Sequence, residues 1–115
     1  MIDYFERGKL FEFYKELLSV SQREALELYY NDDLTMAEIA DELGISKQAV
    51  STNIKNGVEK LKEFEDNLHL AKNYYIVESA KDKLENLYHN SVKQDNLPND
   101  IQEDIFKILS MLDEI

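Results

Sequence analysis

The sequence predicts an all-α protein built around a helix-turn-helix. Its 115 residues include only one proline and three glycines. The sequence has no alternating run rich in Val, Ile and Thr of the kind that forms a strand. The apolar residues instead recur at helical spacing. We expect no β-wing beside the motif, and the length fits one compact domain or a small domain with an interaction arm.

The first two helices are predicted from apolar spacing and from a capping pattern. We expect the first to run from about Asp3 to Leu18. Its apolar face comprises Phe5, Leu10, Phe13, Tyr14, Leu17 and Leu18. Ser21 and Glu24 form an S-x-x-E capping box that opens the second helix. The sequence Asn-Asp-Asp at 31–33 predicts a turn after it.

The helix-turn-helix is predicted at residues 35–55. Thr35 and Glu38 form a T-x-x-E capping box for its first helix, and Gly44 supplies the positive φ that ends this helix. Ser46 is a good N-cap for the second helix. The apolar residues expected to face inward are Ala37, Ile39, Ala40, Leu43, Ile45, Val50 and Ile54. Because Ala40 is small, the two helices can cross closely.

The apolar residues recur at helical spacing well beyond the length that a recognition helix needs to read the major groove of DNA. This spacing predicts that the second helix of the motif runs past Leu61, with Gly57 inside it as a candidate kink. Glycine there costs roughly 1 kcal/mol relative to alanine. Another amphipathic helix is predicted at about 71–89, followed by a polar linker at 93–98. Asn99 and Gln102 are expected to form a capping box for the last helix.

These last two helices exceed what a minimal helix-turn-helix needs. We therefore divide the chain into a helix-turn-helix domain at 1–62 and a C-terminal extension at 63–115. The apolar residues of the extension cannot all pack on one small domain. Either the extension folds back as a helical hairpin or it forms an interface. We expect a homodimer, since symmetric dimers are the commonest oligomers.

Charge is unevenly distributed along this acidic chain, whose net charge is −11. Residues 1–45 carry four Lys or Arg against eleven Asp or Glu, and residues 63–115 carry five against twelve. Residues 46–62 carry four lysines against one glutamate. The only net-positive segment is therefore the predicted recognition helix and its extension, a local footprint for nucleic acid in an otherwise acidic protein.

The second helix of the motif supplies the candidate nucleic-acid contacts, which are Ser46, Lys47, Gln48, Ser51, Thr52 and Lys55. Gln48 can pair with adenine, and Lys47 with guanine or a phosphate. Ser51 and Thr52 suit phosphate contacts. The alternative is an ordinary solvated helix face.

Several function classes are disfavoured by what the chain lacks. It has no cysteine, and its histidines, His69 and His89, have no metal-ligand spacing. No phosphate-binding loop, nucleophile elbow or Ser/His/Asp grouping is present. No apolar run approaches the ~20 residues that span a bilayer, and the N-terminus does not resemble a signal peptide. The sequence predicts a non-enzyme without metal, cofactor or membrane insertion.

Two resemblances follow from these motifs. LLSVSQREALELYYNDDLTMAEIADELGISKQAVSTNIKNGVEKLKEF resembles region 4 of sigma factors, with a Gln-Arg-Glu-led helix, an acidic turn, an A-E-I-A helix and a glycine turn. The segments LFEFYKELLSVSQ, LYYNDDLTMAEIADELGISKQAV, NIK and the later LHL extend the likeness over nearly the whole chain. Through them the sequence resembles the YlxM family, small bacterial helix-turn-helix proteins whose genes lie beside those of the signal recognition particle. This resemblance implies a cytoplasmic protein with a regulatory or accessory role in that pathway.

The chain departs from the family pattern at three positions. Lys47, Ser51 and Asn56 stand where the family usually has arginine, an aromatic residue and arginine. Each change removes a bidentate donor or a stacking surface, which favours weaker DNA binding. Three hypotheses remain: a DNA-binding regulator, an accessory protein that contacts the RNA or protein of the signal recognition particle, and a protein-interaction scaffold with a vestigial helix-turn-helix.

Overall fold

The computed structural model describes residues 4–115, apart from the side chain of Phe5. Its α-helices are α1 (Tyr4–Tyr14), α2 (Val20–Tyr30), α3 (Met36–Leu43), α4 (Lys47–Leu68), α5 (Leu70–Gln94) and α6 (Asn99–Leu112). A 3-10 helix, Lys15–Leu17, follows α1. No strand forms within residues 4–115. The predicted all-α class and the long second helix of the motif are therefore confirmed.

The described chain divides into two compact units. The first ends at Ala71 and the second comprises Lys72–Ile115. The first unit holds α1 to α4 and the start of α5. The boundary drawn at 62/63 from the sequence lies inside α4, and the division into a binding domain and an interaction extension stays a prediction. In the described part of the chain, no helix has both the length and the apolar composition that crossing a membrane requires.

The core of the first unit forms around α4, which contacts α1, α2 and α3. The buried residues of α4 recur at helical spacing on one face, and they are Val50, Ile54, Gly57, Val58 and Leu61. Opposite them lie the largest buried side chains of the other helices, which are Phe11, Tyr14, Leu26 and Ile39. Each such side chain contributes ~1.5–3 kcal/mol through removal of apolar surface from water. The long helix is thus fixed by packing along much of its length.

The first helix differs from its prediction in both length and face. Helix α1 ends at Tyr14, and the 3-10 turn follows instead of a continuous helix to Leu18. The tighter turn changes the direction of the side chains, so Leu17 is 55% exposed while Leu18 is buried. Phe11, absent from the predicted face, is fully buried. The predicted start at Asp3 and the inward placement of Phe5 lie outside the described residues.

Two of the predicted capping boxes are wrong in detail. Helix α2 begins two residues earlier than expected, with Ser19 and Gln22 forming the reciprocal box. Both SVSQ and SQRE satisfy the capping pattern, and the earlier one is used because the chain is already extended at Leu18. At α6 the N-cap is Pro98, without a side-chain cap. The Gln102 side chain instead donates to the Leu97 carbonyl at 2.9 Å.

A buried tyrosine ties α1 to the junction of α4 and α5. The Tyr14 hydroxyl donates to Glu65 Oε1 at 2.5 Å and accepts from the Leu70 N–H at 3.0 Å. Glu65 Oε1 also accepts from the Ala71 N–H at 3.0 Å. These bonds satisfy two N–H groups at the start of α5, which have no partner within the helix. His69 alone separates the helices, in the left-handed conformation at φ 55°.

The close approach of α2 and α4 generates a prediction at Gly57. A Cβ atom there would lie 2.7 Å from Cδ1 of the buried Leu26. Gly57→Ala should destabilise the protein by about 1 kcal/mol, because overpacking costs ~1–3 kcal/mol and the gain in helix propensity is at most ~1 kcal/mol. Urea unfolding measures the difference.

Gly8 in α1 is the matched control. A Cβ atom at Gly8 meets nothing closer than Tyr30 Cδ1 at 3.8 Å, an ordinary contact. Gly8→Ala should therefore leave stability unchanged or raise it by up to ~1 kcal/mol. A Gly57→Ala protein as stable as the Gly8→Ala protein would contradict the steric interpretation.

Candidate nucleic-acid interface

The turn of the helix-turn-helix has the predicted geometry. The Thr35 side chain accepts from the Glu38 N–H at 3.2 Å, and the Glu38 carboxylate accepts from the Thr35 N–H at 3.1 Å. Gly44 ends α3 at φ 67° and ψ 34°, and the next N–H donates to the Ala40 carbonyl at 3.1 Å. Ser46 Oγ accepts from the Ala49 N–H at 3.0 Å, as expected for an N-cap. Local hydrogen bonds therefore fix how α4 leaves the turn.

Burial around the turn agrees only in part with the prediction. Ile39, Ala40, Val50 and Ile54 are buried as expected. Ala37 is exposed and Ile45 is 37% exposed, so neither is an inward residue of the motif. Both lie at positions that local spacing alone assigns to the core.

The six predicted contact residues lie on the first three turns of α4 and at its cap. Ser46, Lys47, Gln48, Thr52 and Lys55 are exposed. Ser51 is half-buried and lines a groove together with Ile54. The structure therefore leaves five of the six side chains accessible to a ligand, and their role in binding nucleic acid stays a prediction.

A groove runs along one flank of α4. Its volume is about 380 Å³. The residues that line it come from α1, α2, α3 and α4, and they are Arg7, Tyr29, Met36, Ser51, Ile54, Lys55, Val58, Glu59 and Lys62. We call it the α1–α4 groove. It includes two of the predicted contact residues, Ser51 and Lys55, and adds two cations that were absent from the predicted site.

The added cations are Arg7 and Lys62. Lys62 follows Lys55 by seven residues, close to two helical turns, and this spacing was visible in the sequence as a continuation of the same flank. Arg7 had no such signal, because only the packing of α1 beside α4 brings it to the groove. The three cations face one carboxylate in the groove, that of Glu59. The groove is therefore net positive.

A buried phenol lies beside the arginine of the groove. Burial raises the pKa of Tyr30 to about 12, and the positive charge of Arg7 opposes this rise. Tyr30, like an ordinary phenol, is neutral at physiological pH, and the raised pKa keeps it neutral into more alkaline solution. The Tyr29 ring, which lines the groove, contacts the Tyr30 ring edge-on at 5.1 Å between centroids.

The first helix of the motif has the opposite charge. Glu38, Asp41 and Glu42 of α3 are all exposed, which disfavours close contact of this helix with phosphate. Contacts with a polyanion should therefore concentrate on α4 and the α1–α4 groove. Across the described residues, no three His, Asp or Glu side chains converge as ligands for a metal ion.

Comparison with known proteins agrees with this geometry. Residues 3–105 match the model of the UPF0122 family, described as "Putative helix-turn-helix protein, YlxM / p13 like". A UPF0122 protein of Streptococcus pneumoniae (strain Hungary19A-6) is 40% identical over 104 residues, which are 90% of this chain and 87% of the relative. The UPF0122 protein YofM of Lactococcus lactis subsp. lactis (strain IL1403) is 46% identical over 79 residues, which are 69% and 71% of the two chains.

The raised pKa of Tyr30 predicts a loss of stability in alkali. Unfolded, the phenol ionises near its ordinary pKa of 10.0, while the folded protein retains the proton up to about pH 12. The folded state then binds more protons, so the free energy of unfolding should fall as pH rises through this interval. Tyr30→Phe should make the fall shallower, as urea unfolding across the interval would show. Parallel pH profiles for the two proteins would contradict this assignment.

Proposed function

Since the chain belongs to the UPF0122 family of helix-turn-helix proteins, we propose that it is a non-catalytic regulatory protein that binds duplex DNA through the N-terminal half of α4. One observation carries the proposal. Helix α4 follows a turn at Gly44, is capped by Ser46, and has exposed polar side chains on its first turns. Second helices of such motifs enter the major groove with their N-terminal residues against base edges.

Charge supports this orientation. Residues 46–62 are the only net-positive segment of the three into which the charge distribution divides the chain. Lys47 and Lys55 suit guanine or phosphate, Gln48 suits adenine, and Ser51 and Thr52 suit phosphate. With few cations, binding should be moderate and should weaken as salt rises, by about one unit of slope for each phosphate contact.

A salt titration with fluorescently labelled DNA tests the proposal. Lys47→Ala and Lys55→Ala should each weaken binding and each flatten the plot of log K against log salt by about one unit. Lys60→Ala is the matched control, because Lys60 lies on the same helix, does not line the α1–α4 groove, and pairs with Glu63 at 3.7 Å. Lys107→Ala in α6 is a remote control. Equal losses for all four variants would contradict the assignment to the face of α4.

A parallel titration with structured RNA separates the other hypotheses. Preference for duplex DNA supports a DNA-binding regulator. Preference for RNA, above all for the RNA of the signal recognition particle, would contradict a DNA-binding regulator. It would support instead the accessory role that the family resemblance implies. No binding to either at low salt would leave a protein-interaction scaffold whose helix-turn-helix is vestigial.

Exposed apolar side chains favour protein binding by the C-terminal unit as a second candidate function. Ile76 and Leu87 of α5 are 57% and 48% exposed, and their separation of eleven residues places them on one face, three turns apart. Ile101 and Ile108 of α6, also exposed, are seven residues apart. Exposed apolar patches of this kind mark interfaces. We propose that a second copy of the chain covers them in a homodimer, which suits a two-fold DNA site.

Light scattering over a range of protein concentrations tests the dimer. Ile76→Glu and Leu87→Glu should shift the average mass towards that of the monomer, because a buried carboxylate in an apolar interface is costly. Asn86→Glu is the control, since it adds the same charge at an exposed position of α5 that lies about 100° around the helix from Leu87. A monomer mass at every concentration of the unmodified protein would contradict the proposal.

A further inference from the structure

We propose that the α1–α4 groove holds the sugar-phosphate backbone of the bound nucleic acid, with Arg7 and Lys62 as phosphate ligands beside the recognition face. This inference rests on the proposed function, because the groove shares Ser51 and Lys55 with that face. It adds a second contact zone, built by α1 and the third to fifth turns of α4, to the first turns of that helix.

The groove has the donor groups that phosphate oxygens require. Arg7 presents a planar guanidinium that can bind two phosphate oxygens, whereas Lys55 and Lys62 present point charges. The Ser51 hydroxyl supplies a neutral donor on the same flank. Arg7 and Lys62 are half-buried and both line the groove.

The spacing of these groups favours a chain of phosphates over a single small anion. Ser51 and Lys62 are eleven residues apart on one helix, about 16 Å along its axis. A single phosphate cannot contact donors over that length, while each strand of a duplex presents a phosphate about every 3.4 Å of axis. The apolar floor formed by Met36, Ile54 and Val58 suits the sugar carbons that lie between phosphates.

Glu59 lowers the affinity of the groove for phosphate. Its exposed carboxylate lines the groove between the positions of Lys55 and Lys62. It repels phosphate and offsets one of the three cations, so the groove holds a polyanion weakly and reversibly. Such contacts fix the position of the protein on the duplex without reading its sequence.

The test compares charge-removing variants in matched pairs, with fluorescence anisotropy on two labelled duplexes of unrelated sequence. Arg7→Gln is paired with Lys9→Gln, which changes an exposed cation of α1 outside the groove. Lys62→Gln is paired with Lys60→Gln on α4. Loss of one phosphate contact should weaken binding roughly eightfold at 0.1 M salt, since log K changes by ~0.9 per contact per tenfold change in salt.

We expect Arg7→Gln and Lys62→Gln to show this loss equally on both duplexes, and the paired controls to show much less. Arg7→Lys should recover most of the affinity, which separates loss of charge from a disturbed α1. If Lys47→Ala weakens binding while Arg7→Gln and Lys62→Gln match their controls, the groove proposal is overturned and the proposed function stands. If the unmodified protein binds neither duplex at low salt, the proposed function itself fails.

Removal of the groove carboxylate gives a gain-of-function test. Glu59→Gln should tighten binding severalfold at low salt, with the gain lost at high salt as the charges are screened. Glu63→Gln is its control, because Glu63 lies on the same helix outside the groove and pairs with Lys60. Equal gains from the two variants would indicate an effect of net charge alone and would count against the groove.

Discussion

The first unit depends on the close approach of α2 and α4 at Gly57. This residue is buried, and the space that its side chain would need is taken by Leu26. The contact allows the two helices to pack without a gap, and α4 in turn supplies Val50 and Leu61 to the same core. Since interiors are close-packed, a shift of α4 here would be transmitted to its exposed turns. Packing at Gly57, on the buried face of α4, therefore determines where the exposed candidate interface lies.

Helix α4 is long enough to form the core of the first unit with one face and to present cations on another. Helix α4 packs against three other helices along its inner face, while its outer flank carries cations in a protein with a net charge of −11. If the chain binds nucleic acid as proposed, the surrounding negative charge disfavours every orientation in which these cations do not face the ligand. An acidic helix-turn-helix protein is consistent with nucleic-acid binding if that binding is local, oriented and sensitive to salt.

The start of α5, within the first unit, is held by part-buried polar groups. Tyr14, Glu65 and the first N–H groups of α5 form one hydrogen-bonded set across the single residue His69. A carboxylate that accepts several hydrogen bonds in a partly buried place is costly to leave unpaired, so the set favours one arrangement of these groups. Burial also raises the pKa of Tyr14, which keeps its hydroxyl protonated as a donor to Glu65.

The sequence by itself determined the features that depend on residues a few positions apart. The Thr35–Glu38 box, the Gly44 turn and the Ser46 cap were predicted because each is made by backbone and side chains within one helical turn. Tertiary structure decided between equivalent local patterns, as with the capping box of α2, which uses Ser19 because of how α1 ends. It also decided which side chains meet across helices. Phe11 is buried and Arg7 lines the groove because α1 packs beside α4, and no local spacing encodes that contact.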